Sequence, residues 1–285
     1  MPPFHATKAA EILRQRTRTL VMGVINTTPD SFSDGGKFLD PDVAVAAALQ
    51  MIKHGADIID VGGESTRPGS SPVDAEEELR RAIPVVKGIC RANPDAVVSI
   101  DTRRSEVAAA AVEAGATMVN DITGFRDDPA SLDVARDAGA AIVIMHMLGR
   151  PKTMQQEIHY DAFPDDIYRF LEERIEVAHR KGIPPDDIII DPGIGFGKTF
   201  DQNLVLINRM NVFLQLGKPI LSGPSRKSFL GKIIDQPVAE LRDTATLGAI
   251  AASIMRGASI VRVHDVVRTV EVCKVVDAVL RERVP

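Results

Sequence analysis

Eight times along the chain, a short run of β-branched and aliphatic residues gives way to a longer helical pattern. Such alternation is the mark of βαβ units built on a parallel sheet. The runs lie at 20–26, 57–61, 97–101, 118–121, 141–145, 188–191, 219–222 and 260–263. The intervening patterns predict helices over 41–54, 75–92, 105–114, 130–138, 164–181, 201–210, 243–256 and 265–281. The runs are almost wholly apolar, as strands covered on both faces require. Gly55, Gly115, Gly139, Gly182 and Gly257 each follow a helix, where a left-handed residue ends it. At 285 residues the chain slightly exceeds one eight-unit barrel and is short for two independent domains. A doubly wound open sheet is the alternative, but it calls for a glycine-rich dinucleotide turn after an early strand, and none stands there. The expected fold is therefore α/β, a (β/α)8 TIM barrel in one domain over 1–285, with 1–18 as an N-terminal extension.

Composition narrows the function classes. The net charge is −5, so no dominant positive field exists to attract a nucleic-acid backbone. A small anion in a local basic pocket remains compatible with that balance. Residues 1–18 are polar and lack the apolar core of a secretion signal, and no run is long enough to cross a bilayer. Cys90 and Cys273 fall in apolar helical patterns far apart, with no metal-ligand spacing. Buried thiols in a reducing, cytoplasmic setting are expected.

The connections differ by direction. Helix-to-strand segments are short, whereas strand-to-helix segments 27–40, 62–74, 146–163, 192–200 and 223–242 are long and polar. In a barrel the long ones gather at the C-terminal face of the strands, where active sites form. Polar groups follow every strand there. Asp101, Asn120, Asp191 and Lys227 would converge as a floor offering acceptors and a donor to a flat heterocycle edge, an aminopyrimidinone for example. Met145 and Phe196 would supply apolar walls. Asn26, Arg262 and His264 lie on the first and last strands, neighbours in a closed barrel. An arginine, a histidine and an amide suit a phosphate or diphosphate, with Mg2+ held beside it by Asn26.

Seven motifs carry a further likeness: MGVINTTPDSFSDGG at 22–36, GESTRPG at 63–69, NDI at 120–122, MHM at 145–147, DPGIGF at 191–196, SRKS at 225–228 and RVHDV at 262–266. Together they resemble the dihydropteroate synthase family of pterin-binding barrels, in order and with family-like spacing from residue 20 to about 281. Thr27 departs mildly from the aliphatic residue usual in that family. The resemblance implies a transferase that joins 6-hydroxymethyl-7,8-dihydropterin diphosphate to 4-aminobenzoate in folate biosynthesis. It implies that Asp101, Asn120, Met145, Asp191, Phe196, Gly223 and Lys227 hold the pterin, and that Asn26, Arg262 and His264 hold the diphosphate with Mg2+. Thr66, Arg67, Phe196 and Ser228 would shape the aminobenzoate site, with Phe32 nearby. Asp101, Lys227, Arg262 and His264 would then be the catalytic set, favouring ionisation of the pterin C–O bond. Loops 27–40 and 62–74 are expected to close as lids.

Two rivals share the floor. A methyltetrahydrofolate-type methyltransferase domain would have no use for a diphosphate rim, and a non-catalytic pterin-binding paralogue would be expected to lose a loop motif or Lys227. The helix over 265–281 carries Val266, Val267, Val270, Val272, Val275, Val276 and Val279, more than one barrel-facing stripe needs. The excess predicts an apolar homodimer interface, as the resemblance also implies. His5, His54, His159 and His179 lie in terminal, helical or loop contexts and are expected at the surface.

Overall fold

The computed structural model describes residues 7–28, 40–65, 69–70 and 72–284. Among these, parallel strands β1 (Leu20–Asn26), β2 (Ile58–Gly62), β3 (Val97–Asp101), β4 (Met118–Asp121), β5 (Ala141–Met145), β6 (Ile188–Asp191), β7 (Leu221–Ser222) and β8 (Ile260–Val263) form a single sheet. Its order is β6-β5-β4-β3-β2-β1-β8-β7. A parallel bridge from Ile190 to Ile220 joins the two ends and closes the barrel. The expected eight-stranded fold is observed.

Side-chain period 2 sorts the strand residues into two sets. Leu20, Met22, Ile58, Val97, Met118, Ala141, Val143, Ile189, Leu221 and Ile260 form one buried cluster, the lumen of the barrel. The alternate positions, including Val21, Ile59, Val98, Val119, Ile142, Ile190 and Val261, form a second cluster with the surrounding helices. Continuing the lumen series up each strand reaches Asn26, Gly62, Asp101, Asn120, Met145, Asp191, Gly223 and His264. The polar strand ends thus point into one cup because the apolar residues below them fill one lumen.

The helices are α1 (Lys8–Arg14), α2 (Pro41–Lys53), α3 (Ala75–Ala92), α4 (Ser105–Glu113), α5 (Ala130–Ala138), α6 (Asp165–Arg180), α7 (Phe200–Asn208), α8 (Ser228–Ile233), α9 (Asp243–Met255) and α10 (Val266–Arg281). Local chemistry starts several of them. Asp74 caps α3 by accepting from Glu77 N at 2.8 Å, and Thr199 and Gln202 make a reciprocal capping box on α7.

Three differences from the sequence reading have physical causes. Within the N-terminal extension, residues 8–14 form helix α1, which puts Ala9 and Leu13 into the lumen cluster and plugs the bottom of the barrel. β7 is shorter than 219–222 because Pro219 has no N–H to continue the ladder, although its carbonyl still accepts from Ile190 N at 3.0 Å. The segment after β7 carries the short helix α8 and a 3-10 turn, Ala239–Arg242, inside the stretch expected as loop. Cys273 is buried and Cys90 half-buried, both unpaired, and burial pushes the Cys273 thiol up to about 12.

Candidate active site

One half of the cup is built on β2, β3, β4 and β8. Arg262 donates from Nε to Asp60 Oδ2 at 2.7 Å and from Nη2 to Asp101 Oδ2 at 2.8 Å. Asn120 Nδ2 donates to the same Asp60 oxygen at 3.1 Å. Asp60 is fully buried, and the Asp101 and Arg262 side chains are only slightly exposed. Burial pushes the Asp101 carboxyl up to about 8; Arg262 opposes that shift and the negative charge of Asp60 reinforces it. Arg262 therefore belongs to the floor rather than to a separate rim, which corrects the division drawn from the sequence. Its residue is an inward one, below the strand end, and its long side chain crosses to β2 and β3.

The upper edge of this half holds His264 and Asn26. His264 Nδ1 lies 2.8 Å from Ser225 Oγ, which also accepts the His264 backbone N–H at 3.3 Å. Ser225 Oγ thus contacts His264 through both its ring and its backbone, which fixes the orientation of the imidazole at the cup edge. Asn26 is half-buried at the end of β1. Its Oδ1 and Asp101 Oδ2 each lie 3.8 Å from the point where a Cβ on Gly62 would stand, so both flank the same open step of β2.

The other half, on β5, β6 and β7, contains two lysines and one carboxylate. Asp191 is buried and accepts from Gly193 N at 2.7 Å. Burial raises its proton affinity, against the pull of that hydrogen bond and of Lys227. Lys227 donates from Nζ to the Ile194 carbonyl, and the same ammonium sits 4.1 Å from the centre of the Phe196 ring. Burial brings Lys227 down to about 7, with Asp191 opposing. Lys198 is fully buried. Its Nζ meets His146 Nδ1 at 2.9 Å, the Phe196 carbonyl at 3.0 Å and the His146 carbonyl at 3.2 Å. Burial holds the Lys198 amine well below the usual lysine range, with Asp191 opposing. Burial, together with Lys198 and Arg126, holds the His146 imidazole down to about 2.

Glycine is required where these loops meet. A Cβ on Gly193, whose φ is +73°, would stand 1.9 Å from the His146 carbonyl oxygen. The β6 connection can press against the β5 connection only with no side chain there.

Every floor residue expected from sequence is therefore brought to the cup: Asp101, Asn120, Asp191 and Lys227, with Met145 buried and Phe196 and Gly223 half-buried around them. Ser228 opens α8 and is exposed. Thr66, Arg67 and Phe32 lie outside the described residues, as does most of the expected first lid. The stems of the second loop are described. Arg104 donates to Glu64 Oε2 at 2.7 Å, pairs with Glu78, and donates to the Val73 carbonyl, so it grips both ends of that segment.

Sequence reasoning missed Asp60 and the His146–Lys198 pair. A lone carboxylate at the inward parity of an apolar strand was the available signal for Asp60. For Lys198 the signal was a lysine directly after three closely spaced glycines.

A family described as pterin-binding enzymes matches residues 22–264. The chain is 47% identical to a dihydropteroate synthase of Synechocystis sp. over 264 residues, 93% of this chain and 91% of that one. A Yersinia pestis dihydropteroate synthase, solved with a sulfonamide drug, superposes with a TM-score of 0.88 at 39% identity, covering 93% of this chain and 95% of that one. The Xanthomonas albilineans dihydropteroate synthase solved with 7,8-dihydropteroate gives 0.84 at 40% identity, over 94% and 95%. The chain belongs to the pterin-binding enzymes, in their dihydropteroate synthase branch.

Proposed function

We propose that this chain condenses 6-hydroxymethyl-7,8-dihydropterin diphosphate with 4-aminobenzoate, giving 7,8-dihydropteroate and pyrophosphate. The observation that carries the reading is one cup in which an acceptor-rich floor adjoins a guanidinium and an imidazole. Asp101, Asn120 and Asp191 match the N–H and NH2 edge of a pterin, and Lys227 supplies a donor. Arg262, held by the floor carboxylates, and His264 at the cup edge would together face the departing diphosphate.

The bond between the pterin methylene carbon and the diphosphate oxygen breaks first, its electron pair leaving with the diphosphate. Positive charge then spreads into the electron-rich ring. That charge draws Asp101 toward its ionised form, and the ionised carboxylate stabilises the cation in turn. The lone pair of the aromatic amine forms the new C–N bond, and its surplus proton passes to solvent. No covalent bond to the enzyme is needed.

Mg2+ fits the donor chemistry as a companion of the substrate. No cluster of three acidic, histidine or cysteine ligands exists among the described residues. Asn26 contributes a neutral hard oxygen at the cup edge, and Mg2+ commonly keeps waters and substrate phosphates in its remaining positions. Asn26 would hold it there, and bound Mg2+ would supply charge neutralisation for the diphosphate.

We place the protein in the cytoplasm as a homodimer. Among the described residues no helix is long and apolar enough to cross a membrane. On α10, Val266, Thr269, Cys273 and Val276 face the barrel, while Val267, Val275, Val279 and Leu280 are about half exposed or more. That outer apolar stripe supports pairing with a second copy. Light scattering at micromolar concentration should give twice the chain mass; a monomer mass rejects the dimer.

Pyrophosphate release with both substrates and Mg2+ tests the reaction. Release that requires both substrates supports it, and release from neither or from the pterin alone overturns it.

A further inference from the structure

Asp60 lies in the lumen one inward step below Gly62 and is fully buried. Its Oδ2 takes both Arg262 Nε from β8 and Asn120 Nδ2 from β4, at 2.7 and 3.1 Å. Its Oδ1 is enclosed and meets no donor among the described residues. One carboxylate thus ties three strands across the barrel, directly under the floor.

The chemistry of that contact fixes a polarity. An ionised carboxylate can only accept, so Asn120 must present its NH2 to Asp60 and turn its carbonyl oxygen away, toward the cup. An amide's orientation is ordinarily ambiguous, and here its partner decides it. Asn120 therefore shows a ligand an acceptor only, beside the carboxyl groups of Asp101 and Asp191.

We propose that Asp60 is a positioning residue that sets the hydrogen-bonding polarity of the floor, locking Asn120 as an acceptor and holding Arg262 in the lumen. The inference rests on the pterin reading above. A floor locked this way selects rings whose edge carries several N–H donors. It rejects the analogue in which a ring carbonyl replaces the 2-amino group, because two acceptors would then face each other. If Asn120 were free to rotate, its NH2 could meet that carbonyl and the rejection would fade.

Calorimetric titration of the full-length protein with 6-hydroxymethylpterin and with its 2-oxo analogue tests this without turnover. The wild type should prefer the amino compound by about tenfold or more, the worth of one buried hydrogen bond against an unpaired group. Asp60→Leu removes the acceptor, and the preference should fall to within about threefold of parity. Asp60→Asn keeps an oxygen on the Asn120 side and puts its NH2 in the space of the partnerless Oδ1, so the preference should return. A purely structural role would lower both affinities together and leave the ratio alone. An unchanged ratio in Asp60→Leu, or equal loss in Asp60→Leu and Asp60→Asn, overturns the proposal.

A second measurement needs no variant. With asparagine labelled by 15N, the side-chain NH2 of Asn120 should be protected from solvent exchange before any pterin is added. Unprotected protons there overturn the inference. Failure of the wild type to bind the amino compound at all removes the pterin reading itself, whereas binding with a ratio insensitive to Asp60→Leu removes only the role of Asp60.

Discussion

The two halves of the cup hold similar residue types in opposite electrostatic states. On the β2–β4 and β8 side, Arg262 is bound to two carboxylates and every one of its short contacts is a charge-assisted hydrogen bond. On the β5–β7 side, Lys198 and Lys227 donate mainly to backbone carbonyls, and Asp191 is the carboxylate acting on both. The first half is a closed hydrogen-bonded unit whose geometry Arg262 sets before a ligand arrives. The second is short of counter-charge, and burial moves its lysines toward neutrality. A guanidinium tolerates burial beside carboxylates because it stays charged; a lysine responds by losing its proton. The difference suggests a division of labour, with a fixed frame on one side and a ligand-responsive wall on the other.

Asp101 gives the largest expected break. Asp101→Asn leaves an oxygen to accept from Arg262 but cannot supply negative charge to a cationic ring. Turnover should fall by about 100- to 1000-fold, the usual cost of removing one transition-state stabiliser. The melting temperature should move by only a few degrees, and near-normal turnover would sink the assignment of Asp101.

Lys227 sharpens the comparison through pH. Its folded-state pKa of about 7 lies below the usual lysine range, so its charge is present below about 7 and lost above it. If the wall binds substrate through that charge, kcat/KM should fall on the alkaline side, starting near neutrality. Lys227→Arg keeps a cation at all these values, so that limb should move to higher pH even if the maximum drops about tenfold. Stability runs the other way. Between about 7 and the unfolded lysine value, the unfolded chain binds the extra proton, so this group makes stability rise with pH across that window. An alkaline limb identical in Lys227→Arg and the wild type would assign the titration elsewhere.

The barrel was legible because its signal is repeated: each apolar run closes a strand, and parity carries the same inward series to every strand end. That is why Asp101, Asn120 and Asp191 stand out in the sequence itself. Asp60 was hidden by the same rule, since a run such as 58–61 reads as core and its one charge as an interruption. Arg262 was assigned to the rim because sequence gives the position of a backbone and not the reach of a side chain. Lys198 lies beyond its strand, and its place depends on the positive φ angles of Gly193, Gly195 and Gly197, which no periodicity encodes. Helices α1 and α8, with 7 and 6 residues, are too short to display a helical period.

Lys198 tests whether the second half is held together by its buried amino group. Lys198→Met fills similar volume but leaves His146 Nδ1, His146 O and Phe196 O without their donor. Unmade buried hydrogen bonds of this kind should cost about 2–4 kcal/mol of stability, read as a lower urea midpoint at an unchanged slope. His146 adds a signed pH effect. Its folded pKa of about 2 lies below the unfolded value, so acidification from about 6.5 down to 2 progressively favours the unfolded chain. His146→Gln keeps an acceptor but does not titrate, and it should flatten that part of the stability profile. Equal acid sensitivity in both proteins would mean that the imidazole is not held neutral.

Ser225 offers the smallest and most local effect, on the seam between the halves. Its hydroxyl sits 2.8 Å from His264 Nδ1 and takes the His264 N–H at 3.3 Å, so it orients the ring. Ser225→Ala removes both contacts without opening a large cavity. About 1 kcal/mol of orientation should be lost, seen as a fall of about fivefold in kcat/KM for the pterin diphosphate. The KM for 4-aminobenzoate should stay the same, because that substrate does not carry the diphosphate His264 would face. A loss shared equally by both substrates would instead indicate that Ser225 supports the whole β7 connection, and the seam would then belong to the frame and not to the responsive wall.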